Sequence, residues 1–301
     1  MTTARMRFVG VDTSSSSIMT IFPVWARLLG LDAELVGLDI PLGAQRAQYR
    51  NALRAMSSDP ACAGALVTTH KISLFEAARD LFDDIDEFAA EVGEVSSIAF
   101  RHGRTLGAAK DPITAGLALE EVLAPDHFGN GGHVLCLGAG GAGIAIGWYL
   151  ARRSDAPASM TFVDTEPTRL DQLRQVVDPH ADRTELHTLC TADADLPALV
   201  QGLPARSLVI NATGLGKDRP GTPLPDGVLL PRRSVVWELN YRGSLEFLAQ
   251  ARSQAQQQEL LVVDGWRYFI HGWSQVIAEV FELPMGPEVV QSLAQAAQDA
   301  R

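Results

Sequence analysis

The residues most able to do chemistry lie in the run VLCLGAGGAGIAI. Gly138, Gly140 and Gly143 fit G-x-G-x-x-G, with Ala139, Gly141 and Ala142 filling the loop. The run directly follows an apolar β-rich stretch and opens a helical one. In such a loop the first glycine permits a tight turn and the second lets backbone approach a pyrophosphate. The third lets helix and strand pack closely. The helix N-terminus then offers free N–H groups and partial positive charge to phosphates. The next β-rich run, TFVDTEP, ends in Asp164, 21 residues beyond Gly143. An acidic residue at that spacing is expected to meet the adenosine ribose, with Thr165 beside it. A carboxylate accepts from both ribose hydroxyls and repels a 2′-phosphate, and no arginine stands at 165 or 166. NAD is therefore expected over NADP, although Arg169 lies close in sequence. The bland alternative is a glycine-rich turn without a ligand.

The elements that must position these residues follow an α/β rhythm, in which short β-rich runs alternate with longer helical patterns. Strands are expected at Arg7–Val11, Glu34–Ile40 and Ala65–Thr69. Ser97–Phe100 and Thr105–Ala108 flank His102–Gly103 as a hairpin. Helices are expected over Ile18–Leu29, Gln45–Met56, Leu74–Phe82 and Thr114–Val122. After the turn-rich APDHFGNGG, strands are expected at His133–Leu137, Met160–Val163, Glu185–Leu189, Leu208–Ile210, Val235–Leu239 and Leu260–Val263. Helices follow the glycine loop to Arg152 and span Arg169–Val177. The tail from Trp273 is helical, interrupted near Pro284–Pro287. No internal repeat or low-complexity tract interrupts the pattern.

The composition narrows the classes. The chain has 301 residues, 47% of them hydrophobic, enough for about two domains with full cores. With 25 basic against 36 acidic residues, its net charge of −11 argues against a general nucleic-acid binder or a polybasic membrane anchor. No apolar run is long enough for a membrane span or a signal peptide. Cys62, Cys136 and Cys190 are far apart and odd in number, so a cytoplasmic, reducing setting is expected. The seven histidines show no metal-ligand spacing, and no metal is expected.

Several stretches, in order, resemble the shikimate/quinate dehydrogenase family. VTTHK, ending at Lys71, resembles its N-V-T-x-P-x-K. EVGEVSSIAF resembles its I-G-A-V-N-T-I, and LGAAKDPITAG its G-x-N-T-D-x-x-G, which puts Asp111 on the family aspartate. GAGGAG matches the cofactor loop and NATGLG the family's N-A-T-x-x-G. ELNYRG resembles D-x-x-Y-x-P, placing Tyr241, and DGWRYFIHGW resembles D-G-x-x-M-L-x-x-Q, with Gly272 at the glutamine. The resemblance implies a two-domain α/β protein. A substrate domain would span 1–111, completed by C-terminal helices 268–301, and a Rossmann NAD(P)-binding domain with a parallel sheet would span 112–267. The active site would be the cleft between them, a small molecule the partner, and a homodimer the expected assembly. Asn211, Ala212, Thr213, Gly214 and Leu239 would join the glycine loop in holding the cofactor.

Oxidising a secondary alcohol needs a base for the hydroxyl proton, and the reverse reaction needs an acid. A lysine serves either way if its pKa is lowered toward neutrality. By the resemblance, Lys71 and Asp111 are the catalytic pair. Taken alone, Lys71 reads as a solvated helix-start lysine and Asp111 as a cap or turn residue before Pro112. His70 and His271 flank the expected site, where a lone histidine is more often structural.

The departures from the family pattern fall on substrate contacts. S-x-S-P becomes Ser14–Ser17: in one register Ser15 and Ser17 keep two hydroxyls on one side, in the other Ser16 with Ile18 loses one. Ala65 and Val67 stand at the family's Asn and Thr, with Thr68 or Thr69 a partial replacement. Ser96 and Ala109 stand at two asparagines, and Gln275 lies one turn beyond His271. Polyol-binding side chains are thus shortened or removed, which weakens discrimination for shikimate itself. The expectation is an NAD(P)-dependent alcohol/ketone oxidoreductase acting on a shikimate-like cyclic hydroxy or amino acid or a cyclitol. The alternatives are an ordinary shikimate or quinate dehydrogenase, a folate-linked dehydrogenase and an NAD-binding sensor without turnover.

Overall fold

The computed structural model describes residues 3–217 and 219–298. The described residues of Met1–Asp111 and Ile270–Arg301 form one compact unit, and those of Pro112–Phe269 another.

The first unit opens with β1 (Ala4–Gly10), α1 (Ile18–Leu28), β2 (Ala33–Asp39), α2 (Arg46–Ser57), β3 (Cys62–Val67) and α3 (Lys71–Ala78). It continues with β4 (Asp84–Ile85), α4 (Glu87–Val92), β5 (Ser97–Arg101) and β6 (Arg104–Ala108), after which α5 (Asp111–Glu120) begins. The sheet order is β2-β1-β3-β5-β6-β4. β1 runs parallel to β2 and β3, whereas β5 is antiparallel to both β3 and β6. The β5–β6 hairpin turns at His102 and Gly103, both at positive φ (52° and 74°), the backbone that a two-residue primed turn requires.

Helix α1 buries Ile18, Ile21, Phe22 and Trp25, the i, i+3, i+4, i+7 stripe of an amphipathic helix. The Trp25 indole donates to the Leu293 carbonyl at 2.9 Å, so the C-terminal helix is tied to α1.

The second unit carries β7 (Val134–Leu137), α6 (Gly141–Arg152), β8 (Ser159–Asp164), α7 (Pro167–Val177), β9 (Glu185–Cys190) and α8 (Leu196–Gln201). Then come β10 (Leu208–Asn211), β11 (Val235–Glu238), α9 (Glu246–Gln258), β12 (Leu261–Val263) and α10 (Trp266–Phe281). The last helix, α11 (Pro287–Ala296), belongs to the first unit. All six strands of this sheet are parallel, in the order β12-β11-β10-β7-β8-β9. This is the doubly wound order of a dinucleotide-binding sheet, whose direction of winding reverses between β7 and β10. β7, β10 and β11 are buried throughout, as strands covered on both faces must be. Leu135, Val209, Val236 and Phe247 share one core cluster. Across both units the class is mixed α/β, as the rhythm of the sequence predicts.

Some elements differ from expectation. The third helix starts at Lys71, three residues before Leu74, so the lysine occupies its first turn. β4, α4, α8 and α9 were absent from the sequence reading. The first two are two and six residues long, too short to establish a period. Helix α9, EFLAQARSQAQQQ, buries only Phe247, Leu248 and Ala251 and is otherwise polar.

Candidate active site

In the first unit, strand direction gathers the candidate residues at one end of the sheet. Val9 of β1 pairs with Val67 of β3, so the serine run and Thr68–Lys71 leave the same edge. Leu66 pairs antiparallel with Ser97, and Ser97 with Ala108. The start of β5 and the end of β6 therefore meet at that edge, bringing Glu94–Ser96 beside Ala109–Asp111. Lys71 Nζ donates to Asp111 Oδ2 in a salt bridge, and Asp111 is only 7% exposed. The Lys71 carbonyl accepts from Val95 N at 3.3 Å, which pins the start of α3 to the chain entering β5.

The other first-unit candidates differ in exposure and in partners. Ser15 is exposed and its hydroxyl donates to the Asp12 carbonyl at 3.1 Å, while Ser17 is half-buried before α1. Thr69 is exposed and Gln275 half-buried on α10. Ser96 is buried, and its Oγ accepts from Lys110 N at 2.7 Å, so it holds the turn that delivers Asp111. Lys110 itself bridges to Glu279 at 2.8 Å and Asp86 at 3.9 Å, which makes it a structural cation. His70 is buried between the Tyr49 hydroxyl (3.0 Å) and the Ile40 carbonyl (2.7 Å), a fully used structural histidine. Trp273 is buried edge-on against Phe8.

In the second unit the candidates leave the C-terminal ends of parallel strands, where open α/β sheets bind ligands. Gly138 follows β7 at φ +110°, and a Cβ there would lie 2.6 Å from the Ala212 carbonyl carbon. The loops after β7 and β10 thus touch at the point where the winding reverses. A Cβ on Gly143 would lie 2.4 Å from the Gly138 oxygen, so the loop closes only around a glycine. At Gly140 no atom lies within 4 Å of the Cβ position, so space is left on that side. Gly140 is the N-cap of α6 and makes no side-chain cap bond, leaving the first-turn N–H groups to an anion. Ala139, Gly141 and Ala142 complete that turn. These residues fit a dinucleotide's phosphates.

Asp164 ends β8 but is turned inward. Its Oδ2 accepts from Ala139 N at 2.7 Å, and its Oδ1 accepts from Glu166 N at 3.0 Å. The Thr165 hydroxyl sits 3.5 Å from the same Oδ1, and Arg169 lies 3.9 Å from Oδ2. The carboxylate therefore fastens the glycine loop. Asn211 is fully buried and also acts inward: its Oδ1 accepts from Thr213 N and Oγ1, and its Nδ2 donates to Glu238. It shapes the loop through Ala212, Thr213 and Gly214. Leu239 N donates to the Asn211 carbonyl at 3.0 Å. Tyr241 packs on Phe269, with ring centroids 4.5 Å apart. Among the described residues, no group of three His, Cys, Asp or Glu side chains converges to hold a metal. No helix among them is long and apolar enough to cross a membrane.

No family model matches the chain. It is 31% identical over 201 residues to a protein of Symbiobacterium thermophilum named shikimate dehydrogenase (NADP(+)), covering 65% of this chain. The chain is thus similar in sequence to a shikimate dehydrogenase over part of its length. The match spans 64% of that relative's length. Among solved structures, the fold resembles quinate dehydrogenase from Corynebacterium glutamicum in complex with NAD. There the TM-score is 0.74 at 19% identity, over 98% of both chains. It also resembles a shikimate 5-dehydrogenase from Thermus thermophilus in complex with NADP(H) and shikimate. That TM-score is 0.73 at 22% identity, over 98% of this chain and 99% of the other.

The electrostatics correct one expectation. Burial opposes the Lys71 charge, but Asp111 and Glu94 outweigh it and hold the ammonium above the ordinary lysine range. The lysine is therefore charged near neutrality, not tuned down toward it. Glu94 is 3% exposed, and burial pushes its carboxyl up to about 7, with Lys71 pulling down and Asp111 pushing up. The sequence reading missed this residue. The available signal was a carboxyl at the alanine of I-G-A-V-N-T-I. It also missed the buried bracket of Glu238 and Asn240, at 0% and 7% exposure, beneath the loop that follows β10.

Proposed function

We propose that the chain is an NAD(P)-dependent oxidoreductase interconverting a secondary alcohol and a ketone on a shikimate-like cyclic hydroxy or amino acid or a cyclitol. The observation that carries this reading is the pair of half-buried Lys71 and buried Asp111 at the strand ends of the first unit. A bound nicotinamide dinucleotide would supply or accept the hydride. Gly138–Gly143 would hold its phosphates, with Asp164 at the ribose and Ala212–Gly214 toward the nicotinamide half.

The chain's own residues handle the proton. As an ammonium, Lys71 donates to a substrate carbonyl oxygen in the reducing direction, and Asp111 fixes its direction. In the oxidising direction the same N–H groups stabilise the oxygen as its proton leaves. Ser15, Ser17, Thr69, Tyr241 and Gln275 are the proposed substrate contacts, with Ser96 holding the frame around them. Shortened side chains at Ala65, Val67, Ala109 and Gly272 favour a substrate with fewer or differently placed hydroxyls than shikimate.

NAD is the proposed cofactor. Asp164 and Glu166 put two carboxylates at the end of β8, and Arg169 is already drawn to Asp164. A 2′-phosphate would meet that negative charge. A cytosolic setting fits the three unpaired cysteines.

The test is absorbance at the reduced-nicotinamide band with NAD or NADP and a panel of shikimate, quinate, aminated analogues and neutral cyclitols. Turnover of one panel member, with NAD favoured about tenfold over NADP, is the expected result. Efficient turnover of shikimate itself would refute the altered specificity. Dinucleotide binding without turnover of any substrate would favour the sensor.

A further inference from the structure

We propose that Asp86 is a positioning residue for the Lys71–Asp111 centre, one carboxylate oxygen holding the backbone that delivers Asp111. The inference rests on the dehydrogenase reading and adds to it a residue that acts through Asp111.

Asp86 is half-buried between β4 and α4. Its backbone N donates to the Gly107 carbonyl at 2.9 Å, beside the parallel pairing of Ile85 with Gly107, so it lies next to the end of β6. Its Oδ1 accepts from two backbone N–H groups at once. One is Ala89 N at 2.7 Å, in the first turn of α4. The other is Ala109 N at 3.1 Å, in the turn that leads from β6 into Asp111. The next N–H, that of Lys110, donates to Ser96 Oγ at 2.7 Å. Successive N–H groups of the turn are thus held by side chains. Charge adds to the hold, since the Lys110 ammonium lies 3.9 Å from Asp86 Oδ2 and 2.8 Å from Glu279.

Helix α4 makes this more than a local cap. At its start, Asp86 ties it to the turn that carries Asp111. Beyond its end, where Gly93 takes the left-handed conformation (φ 68°), Val95 N donates to the Lys71 carbonyl at 3.3 Å. A six-residue helix therefore braces the backbone of one member of the dyad against that of the other. The Lys71 end of the brace is held by backbone and the Asp111 end by the Asp86 side chain. A side chain can be exchanged, so the Asp111 end can be released while the backbone bonds stay. The release has a consequence at Lys71. Burial opposes the lysine's charge, and Asp111 is the first group to offset it, followed by Glu94. A displaced Asp111 leaves Lys71 closer to a free amine, and a shift of about 1 Å at such a centre costs up to roughly 100-fold in rate.

The test compares wild type, Asp86→Asn and Asp86→Ser. Asparagine keeps the oxygen that accepts from both N–H groups. Serine still caps α4, but its hydroxyl reaches one bond less far and leaves Ala109 N unheld. With the best panel substrate, Asp86→Ser should lose roughly 10- to 100-fold in kcat at unchanged KM for the dinucleotide, and Asp86→Asn should stay within about threefold of wild type. A second readout needs no turnover. The lysines of the chain are Lys71, Lys110 and Lys217, so acetylation by acetic anhydride at mildly alkaline pH can be followed at each by peptide mass spectrometry. Relative to Lys217, Lys71 should react about tenfold faster in Asp86→Ser and at the wild-type rate in Asp86→Asn. Unchanged Lys71 labelling or an unchanged kcat in Asp86→Ser overturns the proposal. So does an Asp86→Asn that behaves like Asp86→Ser. In wild type the Ala109 amide should exchange slowly with solvent, and an unprotected amide overturns the proposal whatever the variants do. Faster Lys71 labelling in Asp86→Ser, in a chain that turns over nothing, would defeat the dehydrogenase reading while supporting the hold on Asp111.

Discussion

Glu94 in the first unit and Glu238 in the second make an instructive pair. Both are at most 3% exposed, and burial pushes each carboxyl up to about 7. Their partners differ. Glu238 accepts from Asn211 Nδ2 at 2.7 Å, Asn240 N at 2.8 Å and Asn240 Nδ2 at 2.7 Å. Neutral amides occupy both its oxygens, and the group braces the strand ends that carry the second unit's loops. Glu94 faces an ammonium and a second carboxylate and keeps one oxygen without a donor. A similar degree of burial thus goes with a full set of donors in one place and an unpartnered oxygen in the other. The raised pKa alone does not distinguish them; the inventory of donors does.

Four measurements break or sharpen that contrast. The largest effect is expected at the dyad. Asp111→Asn should lower kcat/KM by roughly 10²–10⁴ while leaving dinucleotide affinity intact by calorimetry. A loss below tenfold would remove the first unit's chemistry from the account. Next is Gly143→Ala, whose Cβ would lie 2.4 Å from the Gly138 oxygen. It should weaken dinucleotide binding about 100-fold, as read by fluorescence titration. Retained binding would sever the glycine loop from cofactor function.

Third, Glu238→Ala strands the amide donors of Asn211 and Asn240 and should cost about 3 kcal/mol in urea unfolding. The residual activity should keep the wild-type pH profile. The smallest effect is the pH dependence of stability. The Glu238 carboxyl is raised from 4.5 to about 7 on folding, so the folded chain holds that proton more tightly than the unfolded one. Its contribution is fully present below 4.5 and lost as pH rises through about 7. Relative to Glu238→Gln, the wild type should therefore lose stability over that window. A gain over the same window would refute the assigned shift.

The two regions also differ in how much their sequence disclosed. The glycine loop was legible because its backbone geometry admits so few residues: Gly138 at φ +110° and Gly143 against a carbonyl leave no room for a side chain. The positions of Lys71 and Asp111 could be read from the order of the surrounding stretches, and the fold class from the β/α rhythm. The upward shift of Lys71 could not, because it depends on Asp111 and then on Glu94, which come near it only once β3, β5 and β6 pair. Asp164 shows the same limit. Its place at the end of β8 follows from spacing, but its bond to Ala139 N depends on which way the carboxylate turns. Helix α9 was hidden by its run of glutamines, several of which serve in the fold. Gln250 and Gln254 bond the Leu224–Leu230 loop beside its apolar contacts with Phe247 and Ala251.

The most direct test of the dyad is chemical rescue. Initial rates of reduced-nicotinamide formation would be measured for wild type and Lys71→Ala with the best panel substrate, each with and without added ethylamine. The account predicts a loss of roughly 10³-fold in Lys71→Ala that is partly restored in proportion to the amine added, with wild type unaffected. Lys71→Ala turning over at the wild-type rate without amine would contradict it.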